Sequence, residues 1–376
     1  MKKILFITGT RADFGKQKTI LKSITEHPDF DCTIFCTGMH LMSKYGNTVV
    51  EIQKAGFKDQ LFYFINQVEG ESMEVILSNT ISGLSKYVQE NKVDLIVIHG
   101  DRVESLAGAI VGALRNILVA HIEGGEVSGT IDDLIRHACT KMSHIHFVAS
   151  EMAKKRLLQL GENENSIYNI GSPDVDVMLS NDLPDIEKVK SYYEIEFDDF
   201  AIAMLHPVTS ELDVAEKHAT IFVDSLLESN QNYVVIYPNN DLGNEHILNA
   251  YKKLKSNPRI KIFPSLRFEY FLTLLKYSKF IIGNSSAGIH EAPVYGVPTI
   301  NVGTRQNNRF NYVSISNVAF DSEEILKSIR NAQTKEQRYQ TTDHYGKGNS
   351  AQLFVEAINV PSFWLNSVQK TFVDLK

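Results

Sequence analysis

The chain has 376 residues, of which 43% are hydrophobic, and a formal net charge of −7. That length supports a sizeable core and favours two domains over one. The acidic balance and scattered lysines exclude an extended nucleic-acid surface but leave room for a local basic pocket that takes a small anion. Cys32, Cys36 and Cys139 offer neither a disulfide framework nor a finger-like metal spacing, and as reduced thiols they point to the cytoplasm.

The first element is "KKILFITGT". Two lysines before an apolar run imitate a signal peptide, but the run is short and breaks at Gly9, Arg11 and Asp13. It reads as a buried strand, followed by a loop and a helix from about Lys16. "CTIFCTG", "DLIVIHGD", "ILVAHIEGG", "HIHFVAS" and "SIYNIGSP" repeat the pattern, with helices such as "ESLAGAIVGALR", "TIDDLIRHACTKM" and "SEMAKKRLLQLG" between several of them. Short apolar strands alternating with amphipathic helices predict a parallel sheet covered on both faces. No run reaches the length of a bilayer span, so no membrane segment is expected.

The charged stretch "SNDLPDIEKVKSYYEIEFDD" closes this series. A second one follows: "FAIAMLHPVT", "NYVVIYPNNDLGN", "RIKIFPSL", "KFIIGNSSAG" and "VPTINVGT". The fold class is therefore α/β, with two Rossmann-like domains over residues 1–180 and 181–355. Between the carboxyl ends of their sheets lies an expected interdomain cleft, where open α/β sheets bind ligands. Residues 356–376 form a helical tail, broken near Pro361, that packs back across the domain boundary.

The strand exits carry the chemistry. "GTRADFG" lacks the dinucleotide fingerprint and the Walker lysine, but Arg11 can pair with a phosphate or with a neighbouring carboxylate. In "GNSSAG", Ser285 and Ser286 either cap a helix that starts beside them or present its N–H groups to an anion. Glu291 lies within reach of a ligand hydroxyl, and Arg305 in "GTRQ" adds charge to the same rim. With Arg11, Arg102 and Arg305, His206 can hold a diphosphate.

Asp101, Glu123 and Glu126 crowd adjacent loops. Asp132 and Arg136, like Asp133 and His137, are four apart and share a helical face, which by itself describes an acidic helix start. Carboxylates beside cations can hold unlike protonation states and move a carbon-bound proton. His99, Asp101, His121, Glu123 and Glu126 are also ligand types for a metal, but no HExxH or paired-cysteine arrangement supports zinc, and no metal is expected.

The blocks "GTRADFGK", "TGMH" with "YGNT", "HGDR", "HIEGGEVSGTIDDLIRHACTKMSH", "HPVT", "YPNND" and "GNSSAGIHEAPVYGVP" with "GTRQ" resemble, in order, the hydrolysing UDP-N-acetylglucosamine 2-epimerases of bacterial sialic acid biosynthesis. The resemblance implies a fold like the B-type glycosyltransferases and a UDP-sugar substrate used with water. It implies UDP contacts at Arg11, Arg102, His206, Asn239, Ser285, Ser286, Glu291 and Arg305. Asp101, Glu123 and Asp132 are implied as catalytic groups near the sugar, with support from Glu126, Arg136 and His137. It implies no required cofactor and a homodimer or homotetramer.

The implied reaction eliminates UDP to 2-acetamidoglucal and hydrates it to N-acetylmannosamine. Non-hydrolysing relatives resemble "GTRPE" and "HVEAGLRS", whereas this chain has "GTRAD" and "HIEGGEVSG", which favours the free sugar. A hydrolysing epimerase of UDP-N,N'-diacetylbacillosamine shares much of the pattern. A UDP-sugar glycosyltransferase would use the same architecture with an acceptor in place of water.

Overall fold

The computed structural model describes residues 1–128, 131–239, 241–334 and 337–374. The chain divides into two compact units, the first comprising Met1–Glu126, Asp132–Ser180 and His344–Lys376, the second Val127–Ile131 and Asn181–Asp343. Among the described residues, the first holds a seven-stranded sheet of β1 (Lys2–Thr8), β2 (Phe30–Cys36), β3 (Leu61–Tyr63), β4 (Leu95–His99), β5 (Leu118–Ile122), β6 (Ile145–Val148) and β7 (Ile167–Asn169). Its strands pair in parallel, in the order β3-β2-β1-β4-β5-β6-β7.

Alternation along each strand builds the two covered faces. Ile4, Phe6, Leu95 and Val97 enter one core cluster, while Leu5, Ile7, Ile96 and Ile98 enter the cluster on the other side, as the two-residue period of a strand requires. The six strands described in the second unit are β8 (Ala201–Met204), β9 (Tyr233–Ile236), β10 (Ile260–Phe263), β11 (Ile281–Gly283), β12 (Thr299–Val302) and β13 (Ile315–Val318), ordered β10-β9-β8-β11-β12-β13. Both orders reverse direction beside the first strand of the unit, between β1 and β4 and between β8 and β11. Open parallel sheets bind ligands at such a switch point.

The structure departs from the sequence expectations in several places. The first helix spans Arg11–Thr25 instead of starting near Lys16, because Thr10 caps it, its hydroxyl accepting from Asp13 N at 3.2 Å. Arg11 therefore opens a helix and is not a loop residue. Edge strands β3 and β13 had no counterpart in the expected series. The chain returns to the first unit at His344, ahead of the boundary placed at 355.

That return has a clear cause. Asp176 accepts from Ser350 N at 2.8 Å and from Ala351 N at 2.7 Å, capping helix Ser350–Asn359 against the first unit. Phe354 packs 4.4 Å from Phe147, centroid to centroid. Further on, Lys370 donates to the carbonyls of Thr140, at 2.9 Å, and Ser143, at 2.6 Å, a cation at the negative end of helix Ile131–Met142.

Cys32, Cys36 and Cys139 are buried and free, and burial raises the Cys32 and Cys36 thiols to about 12. No helix among the described residues is long and apolar enough to cross a membrane.

The tightest backbone approach lies at the switch point of the second sheet. Gly283 has φ +129°, and a Cβ there would sit 1.9 Å from the Met204 carbonyl oxygen. Gly283→Ala is expected to lower stability by about 2–5 kcal/mol through combined strain and overlap. Chemical denaturation checks this, and an unchanged midpoint would refute it.

Candidate active site

In the first unit, polar groups follow β1, β4, β5 and β7. Arg136, on helix Ile131–Met142, is only 4% exposed. One of its terminal nitrogens donates to the Glu123 carbonyl at 2.7 Å and the other to the Asp101 carboxylate. Burial opposes its charge, but Asp101, Glu123, Glu126 and Asp132 outweigh that and raise its pKa. The expected carboxylate cluster is thus assembled around one guanidinium.

Glu123 sits in the left-handed region at φ +61°, uncommon for a residue with a side chain. Its N–H donates to Phe147 O at 2.9 Å, so both flanking polar groups of its backbone are held. Gly125 follows because a Cβ there would lie 2.5 Å from the Ala153 carbonyl oxygen. The Glu123 carboxylate accepts from Ser172 Oγ, lies 3.4 Å from Lys16 Nζ and, on its other oxygen, 3.4 Å from His99 Nε2. Lys16 also lies 3.4 Å from Asp174.

Lys16, Ser172 and Asp174 were absent from the expected site. "GTRADFGK" contains the lysine one turn beyond Asp13, so a helix started at Arg11 would have flagged it. "GSPD" after β7 held the other two, in the same strand-exit pattern as the rest.

His121 is committed to the fold. Its Nε2 contacts Gly100 O at 2.8 Å and its Nδ1 contacts Thr140 Oγ1 at 3.2 Å, and burial above all lowers its pKa to about 3. Both ring nitrogens are occupied, so the metal-ligand reading has no lone pair to use there. Glu126 accepts from Ser150 Oγ at 3.3 Å, and His137 pairs with Asp133 at 3.5 Å. Arg102 precedes helix Val103–Leu114 with its Nε 3.7 Å from Glu104. Arg11 lies 3.6 Å from Glu51, the carboxylate pairing that the sequence left open for it.

The second unit gathers a different set at the exits of β8, β9, β11 and β12. Asn284 clamps the backbone of His206, accepting from its N–H at 2.6 Å and donating to its carbonyl at 2.9 Å. Asn239 N donates to His206 Nδ1 at 3.1 Å, which fixes the neutral ring with its proton on Nε2. Enclosure and the neighbouring Arg305 push the His206 pKa down to about 3. Arg305 donates to Asn284 O at 3.3 Å and Gln306 to the same oxygen at 2.8 Å.

Ser285 caps only a single turn, Ser286–Gly288, accepting from Ala287 N at 3.3 Å. The expected longer helix is replaced by this turn and the four-residue helix Glu291–Val294, which contains Pro293. Glu291 is buried there. His206, Asn239, Asn284, Ser285 and Arg305 form one amide-rich cluster whose arginine can pair with a phosphate group, and the buried Asp241 carboxylate accepts from Asn239 Nδ2.

The guanidinium fork is tested by paired substitutions. Arg136→Lys keeps the charge but cannot reach both Asp101 and the Glu123 carbonyl, so a stability loss of about 1–3 kcal/mol is expected. Arg136→Met leaves the carboxylates without their cation and is expected to cost about 3–5 kcal/mol. Urea unfolding reads both: a wild-type midpoint for Arg136→Lys would contradict the two-point role, and equal midpoints for the two variants would contradict the role of the charge.

Residues 22–359 match the family described as UDP-N-acetylglucosamine 2-epimerase. A Neisseria meningitidis serogroup B protein named UDP-N-acetylglucosamine 2-epimerase is 49% identical over 100% of both chains. A Legionella pneumophila protein named UDP-N,N'-diacetylbacillosamine 2-epimerase (hydrolyzing) is 32% identical over 94% of each. The solved Methanocaldococcus jannaschii UDP-GlcNAc 2-epimerase, in complex with UDP-GlcNAc and UDP, matches with a TM-score of 0.81 at 23% identity, covering 95% of this chain and 99% of that one. That likeness shows the α/β fold of B-type glycosyltransferase kind expected from the sequence. The match over nearly the whole chain makes it a member of the UDP-N-acetylglucosamine 2-epimerase family.

Proposed function

We propose that this family member hydrolyses as it epimerises, converting UDP-N-acetylglucosamine and water to N-acetylmannosamine and UDP, the free sugar being a precursor for sialic acid. The observation that supports the reading is the Asp101–Arg136–Glu123 set, in which one buried cation binds the Asp101 carboxylate and the Glu123 backbone carbonyl at adjacent strand exits while Ser172 and Lys16 hold the Glu123 carboxylate. Departure of UDP takes the C1–O electron pair and builds positive character at C1, which acidifies the C2 hydrogen. A carboxylate removes that proton, giving 2-acetamidoglucal. Water then adds its oxygen to C1 while C2 is reprotonated on the opposite face.

Asp101, Glu123 and Asp132 carry the proton transfers, supported by Glu126, Arg136 and His137. Arg11, Arg102, His206, Asn239, Ser285, Ser286, Glu291 and Arg305 are the groups assigned to UDP and its developing charge. Elimination and hydration proceed by C–O cleavage, C–O formation and proton transfer with no hydride step, so the scheme calls for no redox cofactor, and the free thiols fit a reducing cytoplasm.

The Legionella relative's printed activity supports a second substrate, UDP-N,N'-diacetylbacillosamine. Both substrates share the C1 and C2 chemistry, and they differ at C4 and C6 of the sugar.

Turnover of UDP-N-acetylglucosamine in deuterated or oxygen-18 water, without an acceptor, is expected to place solvent hydrogen at C2 and solvent oxygen at C1 of released N-acetylmannosamine. Free N-acetylglucosamine lacking C2 deuterium would mean simple hydrolysis. UDP-N-acetylmannosamine as sole product would mean a non-hydrolysing enzyme. An inert UDP-N-acetylglucosamine with a turned-over diacetamido sugar would correct the substrate alone.

Asp101→Asn and Glu123→Gln keep the size of each group while removing its basicity. They are expected to lower kcat about 10²–10⁴-fold with a smaller effect on UDP affinity by calorimetry. Near-wild-type turnover in both would end the carboxylate mechanism.

A further inference from the structure

One group at the centre of the first site has no role in the scheme above. His99, the last residue of β4, is 6% exposed. Its Nδ1 lies 3.2 Å from Asp13 Oδ1 and its Nε2 lies 3.4 Å from Glu123 Oε2. Nε2 forms no hydrogen bond, so the Glu123 oxygen is the contact that would answer its proton. A neutral imidazole carries one N–H and cannot present a proton to carboxylates on both sides, whereas an imidazolium can.

The anchoring side of this array is firm. Asp13 accepts from Gly9 N at 3.0 Å on one oxygen and from Gln17 Nε2 at 2.6 Å on the other. Gln17 donates in turn to Ile7 O at 3.2 Å, so the carboxylate is fixed between β1 and the first helix. The Glu123 side is looser, since its contact to His99 is an ion pair at 3.4 Å. The ring is held at one end and electrostatically engaged at the other.

From this geometry we propose that His99 is a positioning residue carried as an imidazolium, anchored on Asp13 and holding the Glu123 carboxylate ionised and oriented. The idea rests on the reading of Glu123 as a proton-transfer group.

The charges facing the array support it. Asp13 and Lys16 come from helix Arg11–Thr25, Glu123 and neutral His121 from β5 and its exit, Arg136 from helix Ile131–Met142 and Asp174 from helix Pro173–Leu179. Burial works against charge on His99, yet Glu123 and Asp13 outweigh it and raise its pKa to about 9. The ring is then charged across neutral pH and loses its proton near pH 9. Loss of that cation removes a charge that favours the ionised Glu123 carboxylate.

The test reads the ring directly and then its effect. In protein labelled with nitrogen-15 histidine and free of substrate, the His99 resonance is identified by its disappearance in His99→Gln. Both its nitrogens should remain protonated from pH 6 to 8 and titrate near 9, and Asp13→Asn should move that titration to lower pH. In kinetics, His99→Gln should lower kcat about 10–100-fold with UDP affinity within about twofold. It should also erase the alkaline limb near pH 9 and shift the acidic limb upward.

A ring that is neutral at pH 7 overturns the proposal, as does a loss of kcat with both pH limbs unmoved. Where His99→Gln does not fold, the Asp13→Asn shift identifies the resonance and carries the test. Because the ring is read without substrate, a neutral ring alongside solvent label at C1 and C2 defeats the positioning role alone. A charged ring with no label incorporated supports the array and defeats the hydrolytic reading.

Discussion

Placing an arginine out of water costs several kcal/mol unless anions meet it, and in the first unit that requirement organises everything around Arg136. Its fork reaches the Asp101 carboxylate and the Glu123 carbonyl, and Glu126 and Asp132 add to the field that keeps it charged. The same constraint runs in reverse for the anions. Carboxylates from neighbouring loops repel one another unless cations stand between them, and Arg136, Lys16 and His99 lie at those points. Glu123 can then hold a left-handed backbone, a strain on the order of 1–3 kcal/mol, because its N–H and C=O are both bonded to fixed partners.

Most of this was legible in the chain because each strand is short, apolar and followed at once by polar residues. "DLIVIHGD" and "ILVAHIEGG" become β4 and β5, and their exits carry Asp101 and Glu123 as expected. What escaped reading had little local signal. β3 spans three residues, two of them exposed, and β13 contains Ser316 and Asn317. Edge strands bury one side less, so the apolar run that marks a central strand is missing. The cap that starts the first helix at Arg11 depends on one hydroxyl, Thr10, and an arginine after glycine and threonine reads equally well as loop.

Two parts of the molecule were set by contacts distant in sequence. Asp176 caps a helix that starts at Ser350, 174 residues on, and this brings the chain back to the first unit. Ser172 and Asp174 reach Glu123 and Lys16 from the start of helix Pro173–Leu179, just after β7, although their own segment shows only a strand end. A residue pattern records which side of an element is buried, but not which distant polar group its surplus donors will meet.

The two sheets repeat one strand order and put opposite chemistry at the same switch point. After β1, β4 and β5 the groups are carboxylates balanced by buried cations, an environment in which protonation can be adjusted by a neighbour. After β8 and β11 they are a neutral histidine, a clamped asparagine and serine hydroxyls, with Arg305 beside them. Carboxylates packed this closely must be met by cations, whereas neutral amides and a hydroxyl need none. Separate sheets let one chain hold both environments, because the ionisation of each set is fixed by partners within its own unit.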